Sequence, residues 1–314
     1  MVAPARPKPP SLRVPMRYVG GPMRANKPSQ TAAWVAGART LGQLLPVAER
    51  LAHDPYGVAF MTGPAARLAA LFLAYPRLYG WVPRALSLHA FVWWMQLRTR
   101  AFDDVLLRFL ERGGKQVVLL GAGYDCRAVR FASRLAGVRF FEVDHPNTQS
   151  HKRAVIAASQ LPSQAHYIAW DFEQQSLPEL ASRLHTEGLS ATQPVLTFWE
   201  GVTMYLSERA IAETLRVVQG LGASGSWLAF NYINRRALRT PEVDQRLSQR
   251  LAASVGEPHR FGWDPAELPA WLEARGYRCL SDQSDLVLAQ ALLPAEAASS
   301  FASANRRIVL TETL

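Results

Sequence analysis

The chain has 314 residues, 49% of them hydrophobic and 19% charged, a make-up that gives a globular body with a sizeable core and excludes a disordered or fibrous protein. Its formal net charge is +10, but Arg6, Lys8, Arg13, Arg17, Arg24 and Lys27 fall in the first 30 residues with no acid among them. The excess is therefore mostly the property of a flexible basic leader, 1–30, and says little about whether the folded body attracts phosphates.

After the leader, Thr31 to about Leu110 repeats apolar residues at three- and four-residue spacings, with His53-Asp54-Pro55 as a turn. This predicts an N-terminal helical cap over 31–110. The greasy stretch Leu68–Leu97 is broken by Pro76, Arg77, Pro83 and Arg84, so no membrane partner is expected. At Val117–Leu120 a short run apolar on both faces ends in Gly121-Ala122-Gly123, the pattern of a central parallel strand. Further strands are expected near Val138–Val143, His166–Ala169, Val195–Trp199 and Ser226–Phe230. Helices near Arg127–Leu135, Gln149–Ser159, Leu177–His185 and Glu208–Leu221 separate them. Strands alternating with helices of that length imply an α/β fold with a mostly parallel, doubly wound sheet over 111–314. An insertion near 234–275 is expected to cover the substrate, and Asp285–Leu293 and Arg307–Leu310 read as closing antiparallel strands. The two cysteines, Cys126 and Cys279, form no CxxC pair, and the seven histidines make no HxH or HExxH pair. A reducing cytoplasm and a metal-independent site are therefore expected.

In such sheets ligands bind beyond the carboxyl ends of the strands, so the residues after each strand carry the chemistry. Gly121 and Gly123 permit a tight turn and a close ligand; a tight turn without a ligand, or a dinucleotide fingerprint, remains open at this point. The fingerprint's last glycine is replaced by Cys126, which disfavours it. The second strand ends in Glu142-Val143-Asp144, where either acid suits the hydroxyls of a ribose, Asp144 being nearer the tip; the alternative for Asp144 is a helix N-cap. The third ends at Trp170-Asp171-Phe172, suited to an adenine amino group and its flat face, and the fourth at Trp199-Glu200-Gly201, followed by Tyr205. Three successive strand ends carrying carboxylates suggest one pocket for a nucleoside with a positively charged attachment.

The runs VVLLGAGYDCR, FFEVDHP and FWEGVTMYL, preceded by Ala38-Arg39, Asp54-Pro55-Tyr56, Arg98-Thr99-Arg100 and Asp103-Asp104, resemble the leucine carboxyl methyltransferase family, especially its bacterial branch of small-molecule methyltransferases. The likeness runs from about Thr31 to Tyr277. It implies a Rossmann-like class I methyltransferase, S-adenosyl-L-methionine as methyl donor, and transfer to an oxygen of a small acid or hydroxyl compound. It further implies Arg98, with Arg39 as a second partner, at the donor's carboxylate; Gly121, Ala122 and Gly123 along its backbone contact; Asp144 at the ribose; Asp171 and Phe172 at the adenine; and Glu200 near the amino group. Tyr124 and Cys126 depart from the family's usual Leu or Met and Thr, which bears on acceptor identity. A carboxylate acceptor is already ionised at neutral pH and needs no base; for a phenol or enol the candidates are His145 and His151, with Tyr205 facing the sulfonium or the acceptor. No nucleic-acid partner is expected. A protein C-terminal carboxylate as acceptor, or a non-catalytic partner-binding role on the same fold, are the alternatives.

Overall fold

The structure, a computed structural model, describes residues 28–81, 88–172, 175–239 and 259–314. Most of the basic leader and the middle of the expected substrate-covering insertion, 240–258, lie outside the described residues.

Seven strands form one sheet: β1 (Gln116–Leu120), β2 (Arg139–Asp144), β3 (Ala165–Ala169), β4 (Leu196–Trp199), β5 (Trp227–Ile233), β6 (Tyr277–Ser284) and β7 (Arg306–Thr313). They lie in the order β3-β2-β1-β4-β5-β7-β6. The first five are parallel, and β7 runs antiparallel between β5 and β6. Every residue of β1, β4 and β5 is buried, as their two-faced apolar composition requires of strands covered on both sides.

Two layers of core follow from the alternation of side chains along these strands. On one face Val117, Leu119, Phe198 and Trp227 pack with Phe102, Val105, Leu106 and Phe109 of the long helix α4 (Leu88–Glu111). On the other, Val118, Leu120, Phe141 and Val143 meet Leu180 and Leu184 of α7 (Leu177–Thr186) and Ile211 and Leu215 of α8 (Glu208–Gln219). Before α4 come α1 (Gln30–Leu41), α2 (Gly63–Ala74) and α3 (Pro76–Trp81). Helix α1 starts where Ser29 Oγ accepts from the amide of Ala32 at 3.1 Å, a side-chain cap for one of the donors a helix start leaves free. None of the described residues before β1 is in a strand.

Three expectations need correction. Asp285–Leu293, read as a strand, is a helix over Asp285–Leu292: Ser284 Oγ accepts from the amide of Val287 at 3.2 Å, and an unbroken apolar run satisfies either periodicity. The strand that does pair there, β6, escaped notice because half its length is polar and its register shifts between Cys279 and Ser281. The helix expected over Arg127–Leu135 is a single turn, α5 (Arg127–Arg130), followed by a 3-10 turn at Ala132–Arg134.

Candidate functional site

The sheet order reverses direction of travel between β1 and β4, which opens a crevice beyond their carboxyl ends. Around it the turn after β1 is tight. Gly121 and Gly123 have φ of 68° and 49°, left-handed values that suit glycine, and a Cβ on Gly121 would sit 2.9 Å from Cγ2 of Val202. The amides of Gly121 and Ala122 both donate to Val143 O, at 2.9 and 3.0 Å, so the turn is fastened to the end of β2.

Asp144, the last residue of β2, completes that fastening. Its Oδ2 accepts from the Gly123 amide at 2.5 Å and its Oδ1 from the His145 amide at 2.7 Å. Burial pushes this carboxyl up while the two amides pull it down, leaving it above the usual range. The N-cap of the following helix, α6 (Pro146–Ala158), is His145 and not Asp144: its Nδ1 accepts from the Asn147 amide at 3.3 Å. The second acid of β2, Glu142, points into the protein, where its Oε2 lies 2.5 Å from Lys152 Nζ. Both side chains are about as buried as any in the chain, at 2% and 1% exposure, and burial lifts the Glu142 carboxyl to about 7. Glu142 is thereby removed as an alternative to Asp144.

Beyond β3, Asp171 Oδ2 lies 3.7 Å from Nε2 of His145, and its amide donates to Gln175 Oε1 at 2.9 Å. Phe172 beside it is 42% exposed, an apolar ring left facing solvent. His151, one turn along α6, has its Nδ1 2.8 Å from the Tyr124 hydroxyl, and burial lowers its basicity. The Tyr124 ring stacks on Phe60 at 4.8 Å, so this departure from the family pattern ties α6 to the 3-10 turn Gly57–Phe60. Tyr205 packs its ring 5.3 Å from that of His259. Trp199, in contrast, is buried within the sheet's second core layer.

Beyond β4 stands the densest charge cluster. Glu200 is gripped from two sides, Oε1 2.7 Å from Arg98 Nε and Oε2 2.8 Å from Arg127 Nη1. Burial pushes its carboxyl up, but Arg127, Arg98 and Arg39 overwhelm that and hold it at about 2, so it is ionised throughout the physiological range. Arg127 also bonds Asp103 Oδ1 at 2.9 Å and the Asp125 carboxylate, while Arg130 pairs with Asp103. Arg39 reaches Asp54 Oδ2 at 2.8 Å and donates to the Tyr124 carbonyl. Opposite charges balance one for one, the condition for keeping them away from water.

Gly121, Ala122, Gly123, Asp144, Asp171, Phe172, Glu200 and Arg98 thus border one end of four adjacent strands. Three strand spacings separate β3 from β4, about 14 Å, the span of an extended nucleoside with an amino-acid tail. Arg39 sits at the margin of this group, joined to it through Tyr124. Sequence reasoning missed Arg127. Its hint in the sequence was slight, an arginine shortly after the glycine turn; Asp103, Asp125 and Glu200, the acids it pairs with, are brought to it by the fold. A separate surface groove of about 560 Å³ beside α8, lined by Arg209, Glu213, Arg216 and Arg275 among others, contains none of these residues.

Comparison with known proteins gives the same frame. A family model described as leucine carboxyl methyltransferase matches residues 32–219. A protein of Parafrankia sp. strain EAN1pec, named as a candidate S-adenosyl-L-methionine-dependent methyltransferase, is 31% identical over 221 residues, spanning 68% of this chain and 69% of that one. One of the same description from Frankia alni is 33% identical over 228 residues, spanning 68% and 76%. Among solved structures, a DUF574-family protein from Streptomyces avermitilis superposes with a TM-score of 0.54 at 18% identity over 88% of this chain and all of that one, a likeness of fold. With more than half its length matched, the chain belongs to the leucine carboxyl methyltransferase family.

Proposed function

We propose that the chain transfers the methyl group of S-adenosyl-L-methionine to an oxygen, carboxylate or hydroxyl, of a small molecule. The observation that carries this reading is the row of carboxylates, Asp171, Asp144 and Glu200, at the tips of β3, β2 and β4 with the glycine turn of β1 among them. Asp144 is the acceptor for ribose hydroxyls, Asp171 and Phe172 flank the adenine, and Arg98 and Glu200 divide the donor's carboxylate and ammonium between them. The fit is one of charge: a zwitterionic tail adds as much positive as negative to a balanced cluster, so neither sign is left buried alone. The names of the Parafrankia and Frankia relatives agree with that donor.

When bound, the donor supplies an electrophilic methyl carbon on a positively charged sulfur. The protein's part is to align the acceptor oxygen with that carbon at about 3 Å, which positioning alone makes fast. A carboxylate acceptor asks for no proton transfer. For a phenol or enol, His151 stays neutral through its burial but shares Nδ1 with Tyr124, which leaves its second ring nitrogen, while His145 spends Nδ1 on the Asn147 amide and has Nε2 3.7 Å from Asp171. These ties favour an acceptor that is already ionised.

The test is incubation with methyl-labelled donor and a panel of carboxylic acids, phenols and enols, followed by mass spectrometry. Label on oxygen of a small acid supports the reading. Label only on nitrogen, or on a protein C-terminus in preference to every small acid, rules it out.

A further inference from the structure

Arg127 has no role in the donor-site reading above, yet it is the best-connected cation of the site. It is 2% exposed, its Nε meets Asp103 Oδ1 at 2.9 Å, and its Nη1 meets both Glu200 Oε2, at 2.8 Å, and the Asp125 carboxylate. The guanidinium lies 5.4 and 5.1 Å from the ring centroids of Phe102 and Phe198, which pack on each other at 5.5 Å. Buried against three carboxylates and two rings, it is not open to a ligand of its own. Glu200 presents its other oxygen, Oε1, to Arg98. A ligand ammonium arriving at Oε1 competes with Arg98 for Glu200, and a carboxylate held by Arg98 alone would then be free to turn about its side-chain torsions.

We infer that Arg127 is a positioning residue: by holding Oε2 of Glu200 while anchored to Asp103 and Asp125, it keeps Oε1 aimed at the donor's ammonium after Arg98 has turned to the donor's carboxylate. The inference rests on the proposed donor site and adds how that site survives the exchange of partners. Arginine is required because a planar fork spans several carboxylates in fixed directions, whereas a lysine ammonium is a single point charge.

Two nucleosides separate this role from a merely structural one. S-adenosylhomocysteine carries the amino-acid tail, and methylthioadenosine lacks it. Calorimetry with Arg127→Lys is expected to show S-adenosylhomocysteine weakened by roughly tenfold, with methylthioadenosine held within about twofold, the scatter expected of independent sites. Adding Arg127→Lys to Glu200→Gln is expected to cost no further affinity, because the arginine acts through Glu200. A parallel loss of both nucleosides, an unchanged affinity for S-adenosylhomocysteine, or full additivity with Glu200→Gln overturns the inference. Wild type binding neither nucleoside overturns the donor-site reading itself, a result that wild type binding both excludes before any variant is compared.

Discussion

At the scale of single residues the two acids of β2 have opposite fates, and substitution separates them. Asp144→Ala removes the acceptor that pins the glycine turn and faces the crevice; donor affinity measured by calorimetry is expected to fall by about ten- to a hundredfold, the worth of one or two charge-assisted hydrogen bonds. Glu142→Gln leaves Lys152 buried beside a neutral amide, so its cost appears in urea unfolding, about 3–5 kcal/mol when a buried pair is broken from one side, and not in donor affinity of the protein that remains folded. Glu200 gives a pH signature. Its carboxyl is depressed from the usual 4.5 to about 2 in the folded chain, so its contribution to stability is complete above the unfolded value and drains away as pH falls from about 4.5 towards 2. Thermal melts are expected to show Glu200→Gln starting lower at pH 7 and losing less than wild type through that window; equal losses would place the depression elsewhere. The strand-tip rule made Asp144, Asp171 and Glu200 legible from sequence. Arg127 was not, since its role is fixed by acids 24, 2 and 73 positions away, a coincidence that only the folded chain brings about.

At the scale of elements, legibility followed burial. Strands β1, β2, β4 and β5 are buried along nearly their whole length, and the first three run into a glycine or an acid, so composition marks them. Strand β6 mixes buried and solvent-facing residues and carries a bulge, and its neighbour Asp285–Leu292 joins four apolar residues in succession, a run equally at home in a helix or a strand. The tie is broken by a cap. Ser284→Ala is expected to cost about 1 kcal/mol in urea unfolding because the Val287 amide loses its acceptor; Ser284→Thr, which keeps the hydroxyl, is expected to stay closer to wild type. A loss as large with Thr as with Ala would mean that the cap is not what holds the helix start.

For the molecule as a whole, charge is unevenly placed. Residues 1–102 hold thirteen lysines and arginines against Glu49 and Asp54 alone, more than the entire net excess, so the catalytic body is close to electroneutral. A chain starting at residue 28 sheds six positive charges and is expected to leave a cation exchanger at lower salt while keeping its affinity for S-adenosylhomocysteine unchanged. A drop in that affinity would tie the leader to the donor site. No helix among the described residues is long and apolar enough to cross a membrane.

Strand β7 follows the other six strands in the chain, yet it occupies an interior lane of the sheet, with β5 on one side and β6 on the other. Until Arg306–Thr313 leave the ribosome, β6 has nothing to pair with and β5 shows a bare edge, the kind that recruits stray strands. A stop at position 305, which removes β7, would therefore yield an aggregation-prone product, although every residue proposed to touch the donor lies more than a hundred positions upstream.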